Sequence, residues 1–244
     1  MRYMGGKFRV RKEIAKIIER ARKPKQFFYD LFVGGANITG QFYDKYRAIN
    51  DYNKYVIALY RAIADGWIPP CQITEAEYYK MRDNMQNYPD YLLGLVGFGC
   101  SFGAIFFENF AKESSKKNFL KTATNSVLSQ KKSFEGIQIY NLSYDQVPLQ
   151  NNSIIYCDPP YENTEKYTTG DFDTKKFWEW NRQKSKEHLI FTSEYKAPSD
   201  FICFWEKEQV NSLNNKIALE KLFVHERYKK QYPEIKVEKQ MELF

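Results

Sequence analysis

The sequence predicts an α/β fold, with a Rossmann-like parallel sheet and a mostly helical insert. Two observations indicate the sheet: short apolar runs alternate with helical stretches toward both ends of the chain, and glycine or acidic residues follow the apolar runs. A third observation indicates the insert, because this alternation stops between residues 56 and 136. Strands joined by helices in this way are expected to form right-handed parallel crossovers.

The first elements alternate between helix and strand. Residues 7–23 have aliphatic side chains on one helical face and mostly basic side chains on the other, which predicts an amphipathic helix. Residues 26–32 are the first predicted strand, followed by the glycine turn VGGANITG and a helical stretch to about residue 46. Residues 47–51 are the second predicted strand, and residues 53–65 are the next helix.

The insert, residues 56–136, reads as consecutive helices. Thr74 and Glu77 have the spacing of a capping box, which predicts a helix start. Residues 92–107 are apolar and contain four glycines, whose spacing matches no phosphate-binding loop. We therefore expect these glycines to allow close helix packing.

The β-α pattern returns at residue 137. The predicted elements are strands in IQIYNL and SIIYC, a helix over residues 174–186, a strand in HLIFTSEY, and a terminal strand pair in DFICFWEKEQV and KLFVHERY. The chain is thus divided into a discontinuous catalytic domain, residues 1–55 and 137–244, and the insert, residues 56–136. Residues 229–244 are mostly polar and are expected to be a flexible tail.

The composition favours a polyanionic partner, and it argues against a zinc protein, a disulfide-linked protein and a membrane-spanning protein. The 244 residues carry a net charge of +7, and residues 1–25 alone hold ten Lys or Arg against two Glu. The four cysteines form no CxxC pair and the two histidines are far apart, so neither a zinc site nor a disulfide framework is expected. We see no secretory signal and no apolar run of the ~20 residues that span a bilayer, and expect a cytoplasmic protein.

The stretch SIIYCDPPYENT places an acid, two prolines and a tyrosine directly after an apolar strand. Pro159 and Pro160 fix two φ angles and remove two donors, so strand pairing stops while the carbonyl oxygens remain as acceptors. Asp158 and Tyr161 add a carboxylate and an aromatic face at the strand end, where open α/β sheets bind ligands. A capped turn is the alternative interpretation, since Asp-Pro is common in loops.

The turn after the first strand is a candidate nucleoside site. Its glycines would let a ligand approach the backbone, but the turn lacks a full GxGxxG, which disfavours a dinucleotide. Asp51 ends the second strand, 21 residues after Asp30, where an acid can accept both ribose hydroxyls. A helix cap followed by a strand-end acid is the alternative.

Four motifs occur in order along the chain: YMGGK (residues 3–7), DLFVGGANI (30–38), IND (49–51) and YCDPPY (156–161). Together they resemble the Dam-like (α-class, D12-type) DNA adenine N6-methyltransferases. The resemblance implies a Rossmann-like S-adenosylmethionine-dependent fold, in which the insert recognises the target in double-stranded DNA. It also implies S-adenosylmethionine as the methyl donor, N6 of adenine as the acceptor, and no metal.

The resemblance assigns site residues by position. Those implied for the cofactor are Tyr3, Lys7, Asp30, Phe32, Gly34, Gly35, Asp51 and Asp158, and those implied for the target base are Asp158, Pro159, Pro160 and Tyr161. The family often has an acid shortly before the DPPY strand that contacts the cofactor's adenine. Here Ser143 stands at that place and Asp145 follows two residues later, so this contact stays open.

The chemistry of methyl transfer to an amine explains the tetrad Asp158, Pro159, Pro160 and Tyr161. The lone pair of an adenine amino group is delocalised into the ring, so the amine is a poor nucleophile. If Asp158 and the Pro159 carbonyl accept its two N–H groups, the nitrogen is biased toward tetrahedral geometry, and rigid acceptors need no reorganisation. The base must first be flipped from the duplex, and Tyr161 offers a stacking face.

Basic and amide side chains could contact DNA. The candidates are Arg9, Arg11, Lys116, Lys117, Asn118, Lys121 and Asn125, with Gln130 as a further base-edge candidate. The final QMELF resembles peptides that bind the bacterial sliding clamp, through Gln240, Leu243 and Phe244. A frayed or packed terminus is the alternative for this tail.

Two other functions compete with adenine methylation. One is methylation of the N4 amino group of cytosine by similar chemistry, and the other is a catalytically silent DNA-binding module of the same fold. The Asp of the tetrad and the N-terminal GGK favour adenine, and the intact tetrad favours catalysis. The recognition sequence stays open, as does membership of a restriction–modification, phage or housekeeping system in a bacterial or phage-infected cell.

Overall fold

The computed structural model describes residues 1, 3, 5–111, 118–161, 172–210 and 217–230. The chain forms two compact units. Unit 1 comprises Met1–Lys16 and Phe32–Val147, and unit 2 comprises Ile17–Leu31 and Pro148–Phe244.

The described residues contain seven strands and six α-helices. The strands are β1 (Phe28–Asp30), β2 (Arg47–Asn50), β3 (Gln138–Tyr140), β4 (Ile154–Cys157), β5 (Leu189–Ser193), β6 (Phe201–Val210) and β7 (Ile217–His225). The helices are α1 (Arg11–Ala21), α2 (Lys54–Ala64), α3 (Glu75–Asp83), α4 (Asp90–Gly99), α5 (Phe119–Ser129) and α6 (Thr174–Lys184). No described helix has the length and apolar character needed to cross a membrane.

Unit 2 contains five strands in the order β1-β4-β5-β7-β6. β1 pairs with β4 and β4 with β5 in parallel, whereas β7 is antiparallel to both β5 and β6. The strands belong to a mixed seven-stranded sheet, which confirms the Rossmann-like fold. The antiparallel pairing of β6 with β7 confirms the predicted terminal strand pair. All four residues of β4 are buried, as its continuous apolar run predicts for a central strand.

Unit 1 packs β2 and β3 with helices α2 to α5. The side chain of Asn50, at the end of β2, donates to the carbonyl of Leu142 at 3.1 Å and accepts the N–H of Leu142 at 3.0 Å. This amide therefore ties the end of β2 to the chain that leaves β3. The predicted capping box is present, since Thr74 Oγ1 accepts the N–H of Glu77 and the Glu77 carboxylate accepts that of Thr74.

The glycines of α4 allow close packing, as predicted. A methyl group added at Gly94 would lie 2.3 Å from the carbonyl oxygen of Tyr55 in α2. A methyl group at Gly99 would lie 2.6 Å from the Cβ of Ala123 in α5. Hydrogen atoms at these two positions let α4 approach both neighbouring helices.

One helical prediction is wrong in extent. The stretch after the glycine turn has only a 3₁₀ turn, Thr39–Gln41, and further on the Asp44 carboxylate accepts the N–H of Tyr46 while the Asp44 carbonyl accepts a bond from Arg47 Nε at 2.6 Å. Within the apolar stretch 92–107, helix α4 ends at Gly99, and Gly103 and Ala104 have positive φ.

Candidate functional site

The loop after β1 is a hydrogen-bonded turn within unit 1. The N–H of Val33 donates to the carbonyl of Asn50 at 2.9 Å, and the N–H of Gly34 donates to Asp51 Oδ2 at 2.9 Å. The hydroxyl of Tyr60 in α2 donates to the Gly34 carbonyl at 2.6 Å. Gly34 has a φ of +42°, a conformation that glycine adopts readily. The loop is thus connected to both the end of β2 and helix α2.

Asp51 is a candidate acceptor beside this loop. Its Oδ1 accepts the N–H of Asn53 at 2.9 Å, and its other oxygen accepts the N–H of Gly34. Burial raises the pKa of Asp51 to about 6, against the lowering by these two N–H donors. An ionised carboxylate has about four acceptor positions, so Asp51 can accept hydrogen bonds from hydroxyl groups in addition to the two bonds from the backbone.

The N-terminal motif YMGGK packs against the glycine loop. A methyl group at Gly34 would lie 2.9 Å from the ring of Tyr3, and one at Gly35 would lie 2.6 Å from the carbonyl oxygen of Met1. Methyl groups at Gly6 and Gly35 would each lie 3.0 Å from Nδ2 of Asn37. The structure therefore brings the two predicted motifs together. Because these glycines have no side chains, Met1, Tyr3 and Asn37 can lie directly against their backbone.

The other predicted cofactor residues of unit 1 each contact a neighbouring residue. Lys7 is only 4% exposed, and its Nζ donates to the Gly5 carbonyl at 3.2 Å. Phe32 stacks on Tyr144, with ring centroids 5.6 Å apart. The hydroxyl of Ser143 donates to the carboxylate of Asp145, so both candidates for the adenine contact are present in one hydrogen-bonded pair.

Asp30 and Asp158 lie at the carboxyl ends of neighbouring strands of unit 2. Asp30 is in register with Tyr156 across the parallel pair of β1 and β4, and the N–H of Leu31 donates to the Tyr156 carbonyl at 3.0 Å. Burial, and then the charges of Asp30 and Asp158, raise the pKa of the Cys157 thiol well above its ordinary value. The strand ends thus place negative charge beside a neutral, buried thiol.

Tyr161 is oriented by one residue of β7 and by one residue of the loop after β5. Its hydroxyl donates to Oε2 of Glu220 in β7 at 3.4 Å, and its ring meets that of Tyr195 edge to face, with centroids 4.7 Å apart. Burial, followed by the charges of Asp158 and Glu220, raises the pKa of Tyr161 well above its ordinary value. The phenol is therefore neutral near pH 7.

Sequence reasoning missed the acid at the end of β5. Glu194 is only 4% exposed and accepts the N–H of Tyr195 at 2.7 Å through Oε1. Its charge also raises the pKa of Tyr161, although burial raises it more. The segment FTSEY carried the same signal as the tetrad, an acid and an aromatic residue after an apolar strand.

The DNA-binding candidates have different surroundings. Asn118 is the N-cap of α5, and its Oδ1 accepts the N–H of Lys121 at 2.6 Å. The side chains of Lys121 and Asn125 are exposed. The side-chain amide of Gln130 donates to the carbonyls of Gly35 and Ala36 in the glycine loop, and its role as a base-edge residue stays a prediction.

The N-terminal candidates flank an exposed aromatic ring. The guanidinium of Arg11 lies 3.7 Å from the ring centroid of Phe8, and Arg9 is exposed beside it. Lys116, Lys117, Gln240, Leu243 and Phe244 lie outside the described residues. Within the ranges that the structure describes, no group of His, Cys, Asp and Glu is arranged to hold a metal ion.

The fold and the tetrad define a class of enzyme. The chain combines a mixed seven-stranded sheet with a glycine loop after β1 and Asp-Pro-Pro-Tyr after β4, which agrees with the methyltransferase fold expected from the sequence. The family model of the D12 class N6 adenine-specific DNA methyltransferases matches residues 3–95 and 103–236. The chain therefore belongs to this family and is an adenine-specific DNA methyltransferase.

Two solved structures show distant similarity. HI0767 of Haemophilus influenzae, a candidate methylase, has 12% identity over 89% of this chain and 88% of its own, with a TM-score of 0.36. SMU.472, a candidate methyltransferase in complex with SAH, has 10% identity over 90% of this chain and 53% of its own, with a TM-score of 0.33. The chain thus spans about half the length of SMU.472. No curated protein matches the sequence.

Proposed function

We propose that this enzyme transfers a methyl group from S-adenosylmethionine to N6 of an adenine flipped out of duplex DNA. The observation that carries the proposal is the position of Asp158, Pro159, Pro160 and Tyr161 at the carboxyl end of the central strand β4, in a chain of the D12 family. Membership of that family decides in favour of adenine over cytosine, and of an enzyme over a silent module.

Unit 1 supports binding of the methyl donor. Asp51 has the chemistry of a ribose acceptor, because its carboxylate is held by two backbone N–H groups and is mostly ionised above its pKa of about 6. Gly34 and Phe32 belong to the same loop and would contact the donor's methionine part. The ring of Tyr3 lies against Gly34, and Tyr3 and Lys7 would line the cofactor side of the site. When bound, S-adenosylmethionine supplies a methyl group that is activated by its sulfonium.

Unit 2 supports activation of the acceptor. Asp158 and the carbonyl of Pro159 would accept the two N–H groups of the adenine amine, which frees the nitrogen lone pair for attack. The prolines keep these acceptors rigid, so stabilisation requires little reorganisation. Tyr161 would stack on the purine, and its neutral hydroxyl is held by Glu220. After transfer, the extra amine proton would leave to Asp158 or to solvent.

DNA binding requires both electrostatic attraction and access to the base. Flipping costs a few kcal/mol, and stacking on Tyr161 would return roughly 1–3 kcal/mol. Exposed Arg9, Lys121 and Asn125 are candidates for phosphate or base contacts. Target recognition by residues 56–136, a cytoplasmic location and clamp binding by the tail stay predictions.

The proposal can be tested with unmethylated plasmid DNA. We expect the purified protein to transfer tritium from methyl-labelled S-adenosylmethionine to DNA, and nucleoside analysis to find N6-methyladenine. Modified-base sequencing of the same DNA would then identify the recognition sequence. Label in cytosine alone, or no transfer by a folded protein that binds the donor to any of several genomic DNAs, would contradict the proposal.

A further inference from the structure

We infer that Gln130 is a positioning residue, which holds the glycine loop in the conformation that binds the methyl donor. The inference rests on the proposed function, because it concerns the donor site in unit 1. Gln130 directly follows α5, and its Nε2 donates to the carbonyls of Gly35 and Ala36 at 3.3 Å each. One side-chain amide therefore bridges two consecutive peptide groups of the loop.

The loop conformation needs such support. Gly34 and Ala36 have φ values of +42° and +54°, and the second is uncommon for a residue with a side chain. A strained backbone of this kind persists only where surrounding contacts determine it. Tyr60, whose hydroxyl binds the Gly34 carbonyl, and Gln130 thus contact three consecutive carbonyl groups. The Gly35 carbonyl also accepts the Met1 amino group at 2.8 Å, and the Ala36 carbonyl accepts the N–H of Gly40 at 2.9 Å, so Gln130 completes a set of donors around the loop.

Fixing these carbonyls also affects Asp51. The N–H of Gly34 donates to Asp51 Oδ2, so the same turn that presents its carbonyls to Tyr60 and Gln130 presents this N–H to the carboxylate. If the two bonds from Gln130 are lost, the carbonyls of Gly35 and Ala36 each keep one other donor, so the turn is held less firmly and the N–H of Gly34 is less well directed at Asp51. Gln130 therefore acts on the candidate ribose acceptor through the loop.

Gln130 is itself firmly held. Its backbone carbonyl accepts the N–H of Ser133 at 2.8 Å and the Ser133 hydroxyl at 2.6 Å. The carbonyl of Ser133 accepts Nη2 of Arg47 at 2.9 Å, and Arg47 is fully buried. The Cγ of Gln130 also lies 3.4 Å from the position of a methyl group added at Gly40. These contacts fix the backbone from which the Gln130 side chain extends to the loop.

Two substitutions separate hydrogen bonding from packing. Gln130→Met keeps the length of the side chain but has no donor. Gln130→Glu is isosteric and can keep the contact with the Met1 amino group, but it directs an oxygen atom at the two carbonyls. Ser129→Ala is the matched control, because Ser129 is the exposed neighbour at the end of α5. Affinity for S-adenosylhomocysteine would be measured by calorimetry, and kcat and the KM for the donor by methyl transfer.

We expect Gln130→Met to weaken S-adenosylhomocysteine binding by about fivefold or more, and Gln130→Glu to weaken it further. The KM for the donor should rise in parallel, kcat at saturating donor should change by less than about threefold, and Ser129→Ala should match the native protein. Binding is compared well below each variant's unfolding temperature, so that a loss of stability is not mistaken for a loss of affinity.

Native affinity in both Gln130 variants would overturn the inference, as would a loss of kcat with unchanged affinity. These outcomes differ from a failure of the proposed function, in which the native protein itself would bind no S-adenosylhomocysteine.

Discussion

The backbone N–H of Gly34 donates to Oδ2 of Asp51 at 2.9 Å, which joins the loop after β1 to the end of β2. The same carboxylate accepts the N–H of Asn53, the residue that caps α2. Asp51 is thus oriented by the backbone on both sides, and burial raises its pKa to about 6.

Donor binding should depend on pH through Asp51. Because the ionised carboxylate is the better acceptor for ribose hydroxyls, we expect affinity for S-adenosylhomocysteine to fall as the pH drops through about 6. Titration calorimetry between pH 5 and pH 8 measures this. Asp51→Asn should bind more weakly at pH 8 and show little change over that range, whereas a flat profile in the native protein would contradict the assignment.

The raised pKa of Asp51 should also make the folded protein less stable as the pH rises, whereas donor affinity should increase with pH. Burial makes ionised Asp51 unfavourable in the folded state, so its contribution becomes less favourable as the pH rises from its ordinary value of 3.8 through about 6. We expect Asp51→Asn to unfold at higher urea concentration than the native protein at pH 8, and the difference to shrink toward pH 5. A lower midpoint for Asp51→Asn at pH 8 would show that its hydrogen bonds outweigh the cost of burial.

Asp158 should be needed for transfer and not for donor binding. Replacing it by Asn exchanges an anionic acceptor for an amide, and we expect kcat to fall by about 10²–10³. S-adenosylhomocysteine affinity should change by less than about threefold, because the expected role concerns the acceptor. Asp83→Asn, at an exposed position of α3, is the control. Near-native kcat in Asp158→Asn would refute the acceptor role.

The ring and the hydroxyl of Tyr161 should contribute differently. Tyr161→Phe removes the bond to Glu220 but keeps the ring, so we expect at most about a fivefold loss of kcat/KM. Tyr161→Ala also removes the stacking face, and roughly 1–3 kcal/mol corresponds to a loss of about fivefold to more than a hundredfold. Fluorescence of 2-aminopurine at the target position would report flipping. Equal effects of the two substitutions would argue against stacking.

The contact between α4 and α5 can be tested by moving one methyl group. Gly99→Ala would place its Cβ 2.6 Å from that of Ala123, and we expect it to destabilise the protein by about 1–3 kcal/mol. In the double variant Gly99→Ala, Ala123→Gly the contact contains one methyl group again. The loss of stability in the double variant should therefore be smaller than the sum of the losses in the two single variants. Urea unfolding of both single variants and the double variant measures the coupling. Additive costs would show that the helices can move apart.

Local patterns predicted those features that depend on neighbouring residues. The apolar run before Asp158 predicted the central strand, and the spacing of Thr74 and Glu77 predicted the cap of α3. Composition and spacing also indicated that the glycines of α4 serve packing. The tetrad was found because its chemistry lies in four consecutive residues.

Other features could not be predicted because they depend on contacts between distant residues. Arg47 reads as a surface residue at the start of a strand, yet it is fully buried with its guanidinium bound to the carbonyls of Asp44 and Ser133. Gln130 reaches Gly35 across 95 residues of sequence. Nothing within a short window of residues distinguishes such side chains from solvated ones.

The close approach of α4 to its neighbours limits how this enzyme can diversify. Gly94 and Gly99 leave no space for even one additional carbon atom, so neither position can readily change without rearranging the adjoining helices. Lys121 and Asn125, which are predicted to contact DNA, are exposed, so substitutions there carry no such packing cost. If that prediction holds, a change of target preference is easier to accommodate on this exposed face than in the contacts of α4.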